Sequence, residues 1–160
     1  MNGRRSGTEG VGRPTGSFRQ GAYFRPTMTL VVVPVRYPLS RHSRATLERA
    51  MEVAAEHDAD LTVLHVNVYQ GDERVTRREL KSAVEAAFGR LNRARYVVRP
   101  GFLVEETILD EVAAEDADYV VIGQKQAGRW RRMVRRLIDD PDIEGFLRRE
   151  LDCEIITATS

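Results

Sequence analysis

The feature that most constrains the fold is an alternation that begins at Met28, in which short apolar, β-branched runs are separated by longer stretches with an apolar stripe of helical period. That order is the signature of βαβ units. The first run, residues 29–35 (TLVVVPV), has no polar alternation, as expected of a parallel strand covered on both faces. A helix is predicted over residues 43–56, with Ala45, Leu47, Ala50, Met51 and Ala54 on its apolar face. The second strand spans residues 60–68 (DLTVLHVNV). Thr76 and Glu79 have capping-box spacing ahead of a helix through Leu80, Val84, Ala87, Phe88 and Leu91. A short third strand, residues 95–99, is predicted to stop at Pro100-Gly101. A helix over residues 103–114, a fourth strand over 119–122 ending at Gly123, and a last strand over 153–157 (CEIIT) complete the pattern.

Five strands with intervening helices and right-handed crossovers predict one doubly wound open sheet, an α/β domain of Rossmann-like class over residues 28–160. Ligands in such sheets sit beyond the carboxyl ends of the strands, where strand order reverses. The segments to inspect are therefore residues 36–42, after the first strand, and residues 123–130, expected as a loop after the fourth.

Residues 1–27 follow neither period. They carry Arg4, Arg5, Arg13, Arg19 and Arg25 against Glu9, a net +4, and read either as a disordered basic tail or as sequence upstream of a true start at Met28. The whole chain has 25 basic and 24 acidic residues, so the body holds the remaining 20 and 23 and is mildly acidic at −3. No whole-chain field argues for a polyanionic partner. The lone Cys153 cannot make an internal disulfide or a thiolate zinc site and fits a reducing compartment. No apolar run has the length of a membrane span, so a cytoplasmic location is expected.

The segments VVVPVRYPLSRHSRATLERAMEVAAEHDADLTVLHV, ILDEVAAEDADYVVIG and CEIIT, in that order, resemble the universal stress protein family across residues 28–160. The resemblance implies strand order 3-2-1-4-5, homodimers that use the last strand and, in one subclass, ATP held in the crevice. That subclass has an aspartate after the first strand, then Gly, two residues, Gly, nine residues and Gly-Ser after the fourth. Physically, glycines let backbone approach the phosphates and offer N–H groups at a helix start.

On the resemblance, Pro34, Val35, Arg36, Val66, Gly123, Lys125, Gln126, Gly128, Arg129 and Asp142 occupy the crevice. Arg36 stands at the aspartate position, Gln126 replaces the second glycine, with Gly128 two positions later, and Pro141-Asp142 stands for Gly-Ser at a longer spacing. These departures disfavour ATP in the family manner. A carboxylate at Asp142 repels phosphate, by about 4 kcal/mol for one pair at 4 Å and an effective dielectric of 20. An Arg36–Asp142 ion pair closing the emptied crevice is the expectation. The alternative is a cationic mouth of Arg36, Lys125 and Arg129 that takes a nucleotide or another small anion.

Residues 129–138 (RWRRMVRRLI) form a basic amphipathic pattern, with Trp130, Met133, Val134 and Leu137 on one stripe and Arg129, Arg131, Arg132, Arg135 and Arg136 on the other faces. The stripe either docks on the domain's own sheet or a dimer mate, or presents the helix to a protein partner, a nucleic acid or an anionic membrane.

His42, His57 and His65 have no metal-ligand spacing, and His65 reads as a hydrogen-bonded core residue. Ser40 and Ser43 read as helix caps, and Cys153 as a packed thiol. Glu105 and Glu106 are adjacent, hence on different helix faces, and make no catalytic pair. There is no GxSxG, P-loop or GxGxxG. The functional expectation is a non-enzymatic, homodimeric regulatory or interaction module without a cofactor, the alternative being a nucleotide- or anion-binding stress sensor.

Overall fold

A computed structural model of the chain describes residues 28–71, 73–137 and 153–159. It has the elements β1 (Thr29–Pro34), α1 (Arg41–Glu56), β2 (Ala59–Val68), α2 (Arg77–Phe88), β3 (Ala94–Gly101), α3 (Val104–Glu115), β4 (Tyr119–Gly123), α4 (Gln124–Leu137) and β5 (Glu154–Ala158). All neighbouring strands are parallel, in the order β3-β2-β1-β4-β5. The sheet and its order are those expected from the sequence.

The run of valines in β1 explains why both faces of the sheet are covered. Side chains of a strand alternate between faces, so Val31 and Val33 join α1 and α2 in one cluster with Leu47, Val53, Leu80 and Val84. Val32 points the other way, into a cluster with Ile108 and Val112 of α3 and Trp130 and Met133 of α4. All three valines are fully buried. Ser40 caps α1, its Oγ accepting from the N–H of Ser43 at 3.1 Å, and Thr76 and Glu79 form the capping box of α2.

Several boundaries differ from expectation: α1 starts at Arg41, two residues early, and α2 ends at Phe88, short of Leu91, with Gly89 at its C-cap in a positive-φ conformation. β3 runs on through Pro100 to Gly101, which is tolerated because β3 is an edge strand. A Cβ at Gly101 would collide with the side chain of Thr107, so a glycine lets the strand end pass close to the first turns of α3. The larger difference follows β4. Residues 123–130 are not a loop, because α4 starts at Gln124, directly after Gly123. The segment QKQAGRWRRMVRRL has one helix-weakening residue, Gly128, and its Ala127, Trp130 and Met133 are buried at helical spacing. Burial of that stripe outweighs the local preference of one glycine. Among the described residues no helix is long and apolar enough to cross a membrane.

Candidate functional site

Beyond the carboxyl ends of β1, β2 and β4 lies a crevice with two lobes that share Pro34, Arg36, Gln126 and Arg129. The larger, about 560 Å³, is walled by Val35, Tyr37, His65, Val66, Val68 and Val75, with Phe102, Leu103 and Glu105 at the α3 side. His65 is held by a 3.0 Å hydrogen bond between its Nδ1 and the carbonyl of Val35. Asn67 closes the floor, its amide donating to the Val75 carbonyl and its oxygen accepting from the Val75 N–H. The smaller lobe, about 210 Å³, is lined by Ser40, His42, Ser43, Thr46, Gly123, Gln124 and Lys125. Its hydroxyls are already engaged: Ser43 Oγ accepts from the Arg36 N–H at 3.1 Å, and Thr46 Oγ1 donates to the His42 carbonyl at 2.8 Å.

The first turns of α4 are tied to α3. Glu105, in the first turn of α3, accepts from Gln126 Nε2 at 2.6 Å and from Arg129 Nε at 3.0 Å, and Arg129 also donates to Gln126 Oε1 at 3.3 Å. The carboxylate of Glu105 is largely buried while Arg129 is half-exposed. This clamp lies at the junction of the two lobes, where the resemblance would put a flexible glycine turn. Charge-assisted bonds of this kind are the stronger class.

The crevice thus brings together Pro34, Val35, Arg36, Val66, Gly123, Lys125, Gln126 and Arg129. Gly128 lies on α4 and lines neither lobe. Arg36 is exposed and has no ion pair among the described residues, and its expected partner Asp142 lies outside them. On the arginine-rich helix, Trp130 and Met133 are buried in the domain's own core, as the docked-stripe reading requires, while Arg131 and Arg132 are exposed. The side chains of Val134, Arg135, Arg136 and Leu137 lie outside the description. Among the described residues no group of three or more His, Cys, Asp or Glu is placed to hold a metal ion.

Sequence reasoning missed Glu105 as a clamp and missed a second acidic pair altogether. Glu111 and Glu115 fall on the same helical face as Ile108 and Val112, and acids at stripe positions were the available signal. Glu111 pairs with Arg99 and Glu115 with Arg95, each at 2.7 Å.

A model of the universal stress protein family matches residues 28–138. No curated protein matches the chain. Among solved structures, a protein of the universal stress protein family from Burkholderia pseudomallei superposes with a TM-score of 0.57 at 17% identity, covering 82% of this chain and 96% of that one. The universal stress protein UspA from Lactobacillus plantarum gives 0.50 at 18% identity, with 81% and 97% covered. A universal stress protein from Archaeoglobus fulgidus gives 0.50 at 18%, with 86% and 98% covered. At such identities these likenesses show the fold, and it is the family model, spanning four of the five strands of the 3-2-1-4-5 sheet, that assigns membership: the chain belongs to the universal stress protein family.

Proposed function

We propose that the chain is a non-enzymatic regulatory module of the universal stress type, working as a homodimer in the cytoplasm without ATP held in the family manner. The observation that carries this reading is the start of α4 at Gln124, directly after β4, with Gln126 and Arg129 engaged by Glu105. A phosphate laid where glycines would admit it meets helical residues bearing side chains, and a carboxylate beside them. With a single cysteine, Cys153, the chain cannot form an internal disulfide, in keeping with a reducing compartment.

The two sheet edges differ in a way that supports pairing through β5. β3 carries Arg95 and Arg99, charges of the kind that discourage edge pairing, whereas β5 after Glu154 reads Ile-Ile-Thr-Ala and leaves Ile155 45% exposed. A second reading is favoured by the smaller lobe, where Arg36 and Lys125 face the hydroxyls of Ser40, Ser43 and Thr46. That lobe suits a small anion, or the phosphate of a nucleotide bound in a different pose.

Sedimentation equilibrium tests the module reading. The full chain is expected to be dimeric at micromolar concentration and Ile155→Arg monomeric with its circular dichroism unchanged. A monomeric full chain, or a variant that dimerises as well as the parent, overturns pairing through β5.

A further inference from the structure

Charge is distributed unevenly between the two ends of the sheet. At the amino ends of the strands, Asp58 precedes β2, Asp116 and Asp118 precede β4, and Glu154 opens β5. Arg93, at that end, is committed to Asp58 and Asp60. At the carboxyl ends, by contrast, residues 36–47 and 119–138 contain no acid. Arg36 follows β1, Arg41 and Arg44 stand in the first turn of α1, and Lys125, Arg129 and Arg132, at i, i+4 and i+7, make one stripe along α4. All six reach solvent. Among the described residues only Arg129 of the six is in an ion pair, with Glu105. A body of mildly acidic net charge thus presents an unneutralised basic face around its crevice.

The same end of the sheet carries exposed rings. Tyr69 and Phe102 directly follow β2 and β3, whose register pairs Val68 with Gly101, so the rings lie side by side with centroids 4.4 Å apart and planes inclined by 59°. A 3.0 Å bond from the Tyr69 N–H to the Gly101 carbonyl fixes that spacing. Phe102 is 67% exposed and Tyr69 46%. With Leu103 they are three of the four large apolar side chains exposed among the described residues, a concentration of the kind that marks an interaction surface. Phe102, Arg36 and Arg129 line the same lobe of the crevice, so rings and cations share one rim.

We propose that this face docks single-stranded nucleic acid, its backbone along α4 and the first turn of α1 and its bases stacked on Phe102 and Tyr69. Cations beside exposed rings suit a single strand of any sequence, because phosphates take the place of counterions and every base has a π-face. A duplex offers the same phosphates but keeps its bases stacked on one another. Trp130 and Met133 are turned into the core, which leaves α4 no apolar face for a bilayer. Opposing charge in the larger lobe comes from Glu73, which is exposed, and from Glu105, which Arg129 neutralises. In naming a partner for the regulatory module the proposal rests on that reading, though not on pairing through β5.

The test is fluorescence anisotropy of labelled oligouridylate and oligothymidylate, about 12 nucleotides long, titrated with the full chain so that the acids of residues 139–144 are present. Micromolar affinity is expected at about 50 mM salt. If four of the five unpaired cations meet phosphates, log K falls against log salt with a slope of about −3, a loss of about 50-fold between about 50 and 200 mM. Lys125→Glu with Arg132→Glu is expected to weaken binding by at least about tenfold and to flatten the slope by about 1.4. Phe102→Ala is expected to weaken it by about fivefold or more with the slope unchanged. Arg90→Glu reverses an exposed charge beyond the end of α2, away from this face, and is expected to change the affinity by less than about twofold. No anisotropy change at about 100 μM protein, an equal loss in Arg90→Glu, or duplex or phosphatidylserine vesicles bound as tightly as the single strand would each overturn the proposal. Displacement of the bound strand by magnesium-ATP at about 1 mM would overturn the ATP-free reading and keep the docking face, so the two fail separately.

Discussion

Replacing Trp130 with alanine separates a helix docked on its own domain from one offered to an outside surface. Trp130 is 4% exposed and shares a cluster with Ile108, Val112, Ile122 and Met133. Truncating a buried tryptophan costs about 3–5 kcal/mol through lost burial and the cavity left behind. One local fact works against the upper end: the indole Nε1 is buried without a hydrogen-bond partner, and removing it relieves a penalty of about 1–3 kcal/mol. The net expectation is a loss of about 2 kcal/mol, or roughly 6 °C in Tm for a domain of this size. Because Trp130 is the sole tryptophan, the parent is followed in urea by fluorescence and circular dichroism together, and the variant by circular dichroism. A loss under about 1 kcal/mol, together with parent fluorescence that shifts on anionic vesicles or nucleic acid, would refute the docked-stripe account, since a surface anchor leaves stability almost untouched.

Two further outcomes follow from the same geometry. Gly128 sits inside α4 without a positive φ, and a Cβ there meets nothing nearer than Arg132 Nη1 at 3.8 Å, so Gly128→Ala is expected to stabilise by about 0.5–1 kcal/mol in urea unfolding; a loss of stability would show that this glycine is needed by the backbone. The stability profile should also slope with pH. Glu115 is raised from 4.5 to about 7, so its contribution is fully present below about pH 4.5 and is lost as pH rises through 7. That difference corresponds to at most about 3 kcal/mol, which water around the exposed Arg95 reduces to about 1–2 kcal/mol. Denaturation midpoints that rise between pH 5 and 8, or a slope that survives in Glu115→Gln, would contradict this sign.

The sheet was legible because its inner strands bury both faces. An unbroken TLVVVPV admits few homes other than an interior parallel strand, and the capping residues Ser40, Thr76 and Glu79 announced the helix starts. The site was legible only in part. Pro34, Val35, Arg36 and Val66 could be placed because strand ends define the crevice. The segment after Gly123 misled at its start: the stripe of Trp130 and Met133 was legible from residue 129 on, but the helix begins at Gln124, where the glycine spacing suggested a loop and the burial of Ala127 favours helix. The clamp and the buried acid pair depend on residues far apart in sequence, Glu105 with Arg129 and Glu111 with Arg99, whose meeting is fixed by the crossovers and by no local pattern.

The central claim is that α4 and the Glu105 clamp take the place of a phosphate-binding turn, and calorimetric titration of the full chain with magnesium-ATP at pH 7 tests it most directly. The account predicts no saturable binding below about 1 mM, a limit that corresponds to about −4 kcal/mol, in the parent and in Gly128→Ala alike. Micromolar affinity in the parent that is lost in Gly128→Ala would contradict it, since it would mean that ATP is held after all through a glycine backbone at the start of α4.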